Sequence, residues 1–133
     1  MAVDLKGTGP KPTVLVVDDE PLVRMTIADM LRSGGFDVLE AAAGAQALQL
    51  LAAERPAAAL VTDVRMPGMD GVDLSHRVRA LNPEMPIVLV SGDARPDAAL
   101  LPVGTRYLRK PVKSRELIAA IADAIDGLVQ AQA

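Results

Sequence analysis

The sequence predicts an α/β fold, a parallel sheet with helices on both faces, and three observations carry that prediction. Short, continuously apolar, β-branched runs (Thr13–Val17, Ala57–Thr62, Ile87–Val90) suit strands covered on both faces. Segments with apolar residues at helical spacing separate them. The two kinds of segment alternate along a chain of 133 residues, about one domain's length, and that alternation is the signature of βαβ units.

Taken in order, residues 1–12 (MAVDLKGTGPKP) mix Gly, Pro and Lys without periodicity and are expected to form a flexible leader. The first strand, Thr13–Val17, stops at Asp18-Asp19-Glu20, and Pro21 suits the first turn of a helix. Leu22, Met25, Ile27, Met30 and Leu31 mark that helix, which Gly34-Gly35 ends. Phe36–Glu40 reads as the second strand, and Ala45–Arg55 as an alanine-rich helix stopped at Pro56. The third strand, Ala57–Thr62, ends at Asp63 and leads into a turn-rich loop, Arg65–Gly71. A helix over Val72–Leu81 is closed by Asn82-Pro83, and the fourth strand, Ile87–Val90, ends at Ser91-Gly92. A fourth helix should occupy Ala94–Gly104; Pro96 can start it, but Pro102 and Gly104 leave barely two turns, so it is expected to be shortened. Tyr107-Leu108 is a short fifth strand before Lys110-Pro111. Ser114 is a candidate N-cap for the last helix, whose apolar face is Leu117, Ile118, Ile121, Ile125 and Leu128 and whose end is expected near Gly127. One domain over residues 13–128 and a short tail over 129–133 follow.

Composition removes whole classes of function. Half of the residues are apolar and 23% are charged, the balance of a globular chain with a real core. A net charge of −3 and only two aromatic residues, Phe36 and Tyr107, argue against a nucleic-acid surface or base-stacking platforms. With no cysteine and one histidine, disulfide scaffolds, thiol catalysis and structural zinc sites are excluded. No apolar run reaches the roughly 18 residues that span a bilayer, and no signal-peptide core is visible. The expectation is an acidic, cytoplasmic domain without membrane insertion.

In an open parallel sheet, ligands bind beyond the carboxyl ends of the strands. Those ends place Asp18 and Asp19, Asp63, Ser91 and Lys110 on one rim. One such acid alone is as well explained by helix capping or solvation; the five polar ends together are not. Carboxylates about 4 to 6 Å apart repel by on the order of 3 to 4 kcal/mol per pair at an effective dielectric near 20, so one binds a proton or a divalent cation resolves the conflict. Oxygen ligands without His or Cys favour Mg²⁺ or Mn²⁺, and Mg²⁺ typically reserves positions for phosphate oxygens, so phosphoryl chemistry is expected. The first turn, Asp-Asp-Glu-Pro, has no glycine cradle for a dinucleotide or nucleotide phosphate. His76 lies mid-helix and reads as a solvated residue rather than a base or phosphodonor.

The runs VLVVDDEP, LVTDVRMPGMDG, IVLVSG and YLRKP, in this order and each following a predicted strand, resemble the response-regulator receiver domain of bacterial two-component signalling over about Thr13–Leu128. The resemblance implies a doubly wound, flavodoxin-like sheet of five parallel strands in the order 2-1-3-4-5. It makes Asp63 the phosphoacceptor for a phosphohistidine carried by a sensor histidine kinase or histidine phosphotransfer protein. Asp19 becomes the direct Mg²⁺ ligand, Asp18 a helper acting largely through water, and the Arg65 backbone carbonyl a further ligand. Lys110 is then the cation for the phosphoryl oxygens, with a cis bond to Pro111 that aims it. Ser91 matches the hydroxyl that moves towards the phosphate, Tyr107 the aromatic switch that follows it inward, and Pro67, Gly68 and Gly71 shape the loop after the acceptor.

In that family the second residue after the acceptor and the second after the switch hydroxyl flank the water that hydrolyses the aspartyl phosphate. Here they are Arg65 and Asp93, of opposite charge, so an ion pair across the opening is expected to tune the lifetime of the phosphorylated form. Relatives use a surface built on the fourth helix, fifth strand and last helix for dimerisation and output, and here the fourth helix is expected to be short. A stand-alone receiver acting on an unknown downstream protein is the leading reading, with no enzymatic activity beyond its own phosphorylation and dephosphorylation. Two alternatives stay open: a phosphate-independent interaction module on the same fold, and a Mg²⁺-dependent phosphohydrolase. The latter is expected to carry a second acid where Arg65 stands.

Overall fold

The computed structural model describes residues 11–53, 57–93 and 95–132. Five strands, β1 (Thr13–Val17), β2 (Asp37–Ala41), β3 (Ala59–Asp63), β4 (Ile87–Ser91) and β5 (Arg106–Arg109), form one sheet in the order β2-β1-β3-β4-β5. Every neighbouring pair is parallel. The helices are α1 (Pro21–Ser33), α2 (Gly44–Ala53), α3 (Gly71–Leu81) and α4 (Ser114–Gln132). This is the doubly wound, flavodoxin-like architecture and strand order expected above.

The side-chain alternation of each strand divides the core between the two faces. Val14, Val16, Ala59, Val61, Val88 and Val90 pack with Ile27, Leu31, Leu117 and Ile121 of α1 and α4. Their neighbours Leu15, Val17, Leu60, Ile87 and Leu89 pack with Ala47, Leu74 and Val78 of α2 and α3. Strands β1, β3 and β4 are buried along their whole length, which is why they read as unbroken apolar runs. Each fully buried Leu, Ile or Val contributes about 1.5 to 3 kcal/mol, so these central strands fix the sheet and, with it, the rim at their carboxyl ends.

Most sequence-derived boundaries lie within two residues of the observed ones. Phe36, expected to open the second strand, instead completes the end of α1. Gly35 has φ +98°, and the Phe36 amide donates back to the Leu31 carbonyl at 3.0 Å. Its ring is buried in the core. The shortened fourth helix is reduced further, to one 3₁₀ turn over Ala98–Leu100 capped by the Asp97 side chain on the Ala99 amide. Pro96 and Pro102 bracket the turn and leave no length for a regular helix. His76 is exposed on α3, as expected, and its Nε2 also lies 2.6 Å from the Leu100 carbonyl, which ties the turn to α3.

Two expectations for the last helix need correction. The Leu117 amide donates to the Lys113 carbonyl, so Ser114 is the first helical residue rather than the cap. The helix also runs past Gly127 to Gln132, so residues 129–132 are helix and not tail. A single glycine costs only about 1 kcal/mol in a helix, and the Ala, Leu, Val and Gln around it are tolerant of helix. The side chain of Leu128, residues 1–10 of the expected leader and the stop expected at Arg55-Pro56 lie outside the described residues.

Candidate functional site

The parallel sheet delivers the ends of β1, β3, β4 and β5 to one rim. The Asp18 amide continues the ladder onto the Ala41 carbonyl, the Val64 amide onto Val90, and the Lys110 amide onto Ser91. Backbone hydrogen bonds thus hold Asp18 just beyond β1, and Asp63 and Ser91 at the ends of β3 and β4, and all three are buried. Asp19 is exposed.

One oxygen from each of Asp18, Asp19 and Asp63 lies within 4.8 Å of the others. Lys110 Nζ is 3.0 Å from Asp18 Oδ2 and 3.4 Å from Asp63 Oδ2. Its peptide bond to Pro111 is cis. Burial pushes the Asp63 carboxyl above its ordinary range; the Lys110 cation opposes that, and the neighbouring Asp18 charge adds to it. For Lys110 burial acts downwards, but the hydrogen bond and charge of Asp18, with Asp63 behind them, outweigh it and raise the ammonium pKa. The lysine is therefore charged at neutral pH, while Asp63 is the acid whose ionised form the protein alone supports incompletely.

The surrounding contacts define the orientation of each group. The Glu20 amide donates to Asp18 Oδ1 at 2.9 Å. Arg24, which the sequence reading missed, donates from Nη1 to the Asp18 carbonyl at 2.8 Å and meets Glu40 at 3.2 Å through Nε. Ser91 Oγ accepts from the Asp93 amide at 3.0 Å, and the Tyr107 hydroxyl donates to the Asp93 carbonyl at 2.9 Å. Arg65 Nε lies 2.9 Å from Asp93 Oδ2, so the two charges expected at the opening do meet. Met66 and Met69 pack into the core beside α2 and α3, as loop residues with a structural role. Leu22, Val23, Thr26, Met30 and Val112 line an open, mostly apolar groove next to Lys110.

Gly71 fixes how closely the β3–α3 loop folds back. Its amide donates to the Val64 carbonyl at 2.7 Å, and a Cβ here would collide with the Asp63 carbonyl. A strand-end backbone atom cannot yield without disturbing the sheet. Gly71→Ala is expected to cost on the order of 2 kcal/mol, within the range of severe packing changes; urea titration measures it, and a midpoint equal to wild type would refute the close approach.

The segments that carry this rim lie within a stretch of the chain that matches a known family. Residues 14–122 match the response regulator receiver domain model. The chain belongs to that family. This receiver is 35% identical over 116 residues to the probable transcriptional regulatory protein TcrX of Mycobacterium tuberculosis, a match covering 85% of this chain and 49% of that protein. It is also 35% identical over 129 residues to the sensor kinase CckA of Brucella abortus, covering 94% of this chain and 13% of the kinase. The chain thus spans about half or less of the length of these curated relatives. Among solved structures, a response regulator receiver protein from Sinorhizobium medicae aligns with a TM-score of 0.81 at 31% identity, over 89% of this chain and 97% of that one. A sensor protein from Polaromonas aligns with a TM-score of 0.80 at 34% identity, over 90% and 99% of the respective chains. Among the described residues no helix is long and apolar enough to cross a membrane.

Proposed function

We propose that Asp63 is the phosphoacceptor of this receiver and that a phosphohistidine on a sensor histidine kinase or histidine phosphotransfer protein is the donor. The observation that carries the reading is the convergence on Asp63: Lys110 Nζ at 3.4 Å, with carboxylate oxygens of Asp18 and Asp19 within 4.8 Å. In the reaction an Asp63 oxygen bonds to phosphorus as the bond from phosphorus to the donor imidazole nitrogen breaks, and the imidazole keeps that electron pair and takes a proton. Lys110 already stands beside Asp63 to meet the developing charge on the phosphoryl oxygens. Asp18 anchors Lys110 through the shorter of its two contacts and keeps it on the rim.

The donor set fits a hard divalent ion: carboxylate oxygens with no His or Cys among them. Asp18, Asp19 and Asp63, with the Arg65 carbonyl, would hold Mg²⁺ or Mn²⁺, which supplies neutralisation of the phosphoryl oxygens beside three acids. Arg65 also occupies the position where a phosphohydrolase of related fold would carry its second acid, which favours self-modification over turnover of a free substrate. The apolar groove beside Lys110 offers the donor protein a place to rest at the mouth of the site. The downstream partner is a protein that distinguishes the two states. Incubation with acetyl phosphate and Mg²⁺ tests the reading through the gain of one phosphoryl mass.

The Arg65–Asp93 pair bears on lifetime. Its side chains are 79% and 58% exposed, so it contributes about 0 to 1 kcal/mol to stability. The same amount on a barrier is up to about a fivefold change in rate. The closed pair restricts water, whereas Asp93 without its partner is free to position it. Arg65→Ala is expected to shorten the phosphorylated lifetime two- to fivefold, followed as decay of the phosphorylated mass; an unchanged or longer lifetime would exclude the gate.

A further inference from the structure

Asp93 has all its polar groups engaged, each by a different part of the molecule. Its amide donates to Ser91 Oγ at 3.0 Å, at the end of β4. Its carbonyl accepts from the Tyr107 hydroxyl at 2.9 Å, on β5. Its carboxylate meets Arg65 Nε at 2.9 Å, in the loop that follows Asp63. Gly92, immediately before it, is exposed, and a side chain there would meet nothing within 4 Å, so the backbone has room to shift. The Tyr107 ring is half-buried against the α2–α3 side of the core, and the Arg95 guanidinium lies 5.8 Å from its centroid.

We propose that Asp93 is a brace and that the exposed Arg65–Asp93 ion pair helps set the position of Tyr107 even when no phosphoryl group is present. Ser91 Oγ has its own proton to donate, and a phosphoryl group on Asp63 offers acceptor oxygens. A move of Ser91 towards them by more than about 0.5 Å takes its 3.0 Å contact with the Asp93 amide beyond hydrogen-bonding range. Asp93 then keeps only the Arg65 pair and Tyr107 itself, and the Tyr107 hydroxyl loses a fixed acceptor. Removing Arg65 loosens the same residue from the opposite side. Two inputs, one buried and one at the surface, thus bias one two-state element. An isolated surface pair would do nothing of the kind, because its loss is felt only by the two side chains concerned. The brace goes beyond the phosphoacceptor reading and rests on it only for a reference state.

Tyr107 is the only tyrosine and there is no tryptophan, so tyrosine ring resonances and tyrosine emission report this residue alone. Wild type without ligand, and wild type with Mg²⁺ and beryllofluoride as a phosphoryl mimic, define the two ends of the Tyr107 response. Arg65→Ala without Mg²⁺ or beryllofluoride is expected to move the Tyr107 resonances along that line, by a two- to fivefold change in the ratio of states. The charge swap Arg65→Asp with Asp93→Arg should return them towards wild type. Arg77→Ala, which removes another surface pair, with Asp73 on α3, should leave them in place. Resonances of Arg65→Ala that coincide with wild type, or that shift without approaching the beryllofluoride positions, overturn the brace while leaving Asp63 phosphorylation intact. A wild-type tyrosine that ignores beryllofluoride overturns the brace and the phosphoryl switch together.

Discussion

Chelation of divalent ions with EDTA is expected to abolish labelling of the receiver by acetyl phosphate, and Asp19→Ala is expected to reduce the labelling rate by on the order of 100-fold with Mg²⁺ present. The reason is charge. Asp18, Asp19 and Asp63 present oxygens within 4.8 Å of one another, and among the described residues Lys110 is the one cation paired with their carboxylates. An incoming phosphoryl group adds further negative oxygens to that cluster. Lys110 is already shared, with its shorter contact to Asp18, so it offsets one carboxylate and not three. Asp19 is the exposed member and contributes nothing to the core, so its replacement tests ligation rather than folding. Rates are read from intact mass over time. Undiminished labelling in excess EDTA would contradict a divalent-ion site.

The second large effect is on stability. An ion that binds only the folded chain stabilises it by about 2.7 kcal/mol at a hundredfold excess over its dissociation constant, which for a domain of this size is roughly 10 °C in Tm. Millimolar Mg²⁺ is expected to raise the Tm of wild type by about that amount and that of Asp63→Asn by much less. In EDTA the order reverses, with Asp63→Asn more stable than wild type by about 1 kcal/mol. The sign follows from the acid: its pKa is raised by burial above the ordinary value, so the folded state binds the proton more tightly than the unfolded chain does. The penalty is fully present above the folded-state pKa and disappears as pH falls through it. The gap between Asp63→Asn and wild type in EDTA should therefore narrow on acidification. A variant less stable than wild type at neutral pH in EDTA would mean that Asp63 gains more from Lys110 than it loses by burial.

Much of this was legible in the sequence because the site lies where local pattern meets topology. The buried strands β1, β3 and β4 announce themselves as apolar runs, and the residue after each run falls on the rim by the geometry of a parallel sheet. Asp18, Asp19, Asp63 and Ser91 follow those runs, and Lys110 the short fifth strand, so their meeting on one rim is expected without any family likeness. Residues whose roles depend on tertiary contact left no such trace. Arg24 sits on the first turns of α1 like any surface arginine, and its contacts with the Asp18 carbonyl and with Glu40 on β2 form only in the folded chain. The contact of the exposed His76 with the Leu100 carbonyl has no sequence signal, because nothing in a helical pattern shows that a 3₁₀ turn 24 residues on will reach it. The end of α4 was misplaced because glycine marks a stop only when the backbone there turns left-handed. Gly35 does so, at φ +98°, whereas Gly127 remains within the helix.

The measurement that bears most directly on Asp63 as acceptor is intact mass after incubation with acetyl phosphate and Mg²⁺, run side by side on wild type and Asp63→Asn. Wild type should gain one phosphoryl group and Asp63→Asn none, with the variant's folding verified by its melting curve. A wild-type protein that takes no phosphoryl group under these conditions, or an Asp63→Asn variant that labels as wild type does, would contradict the assignment.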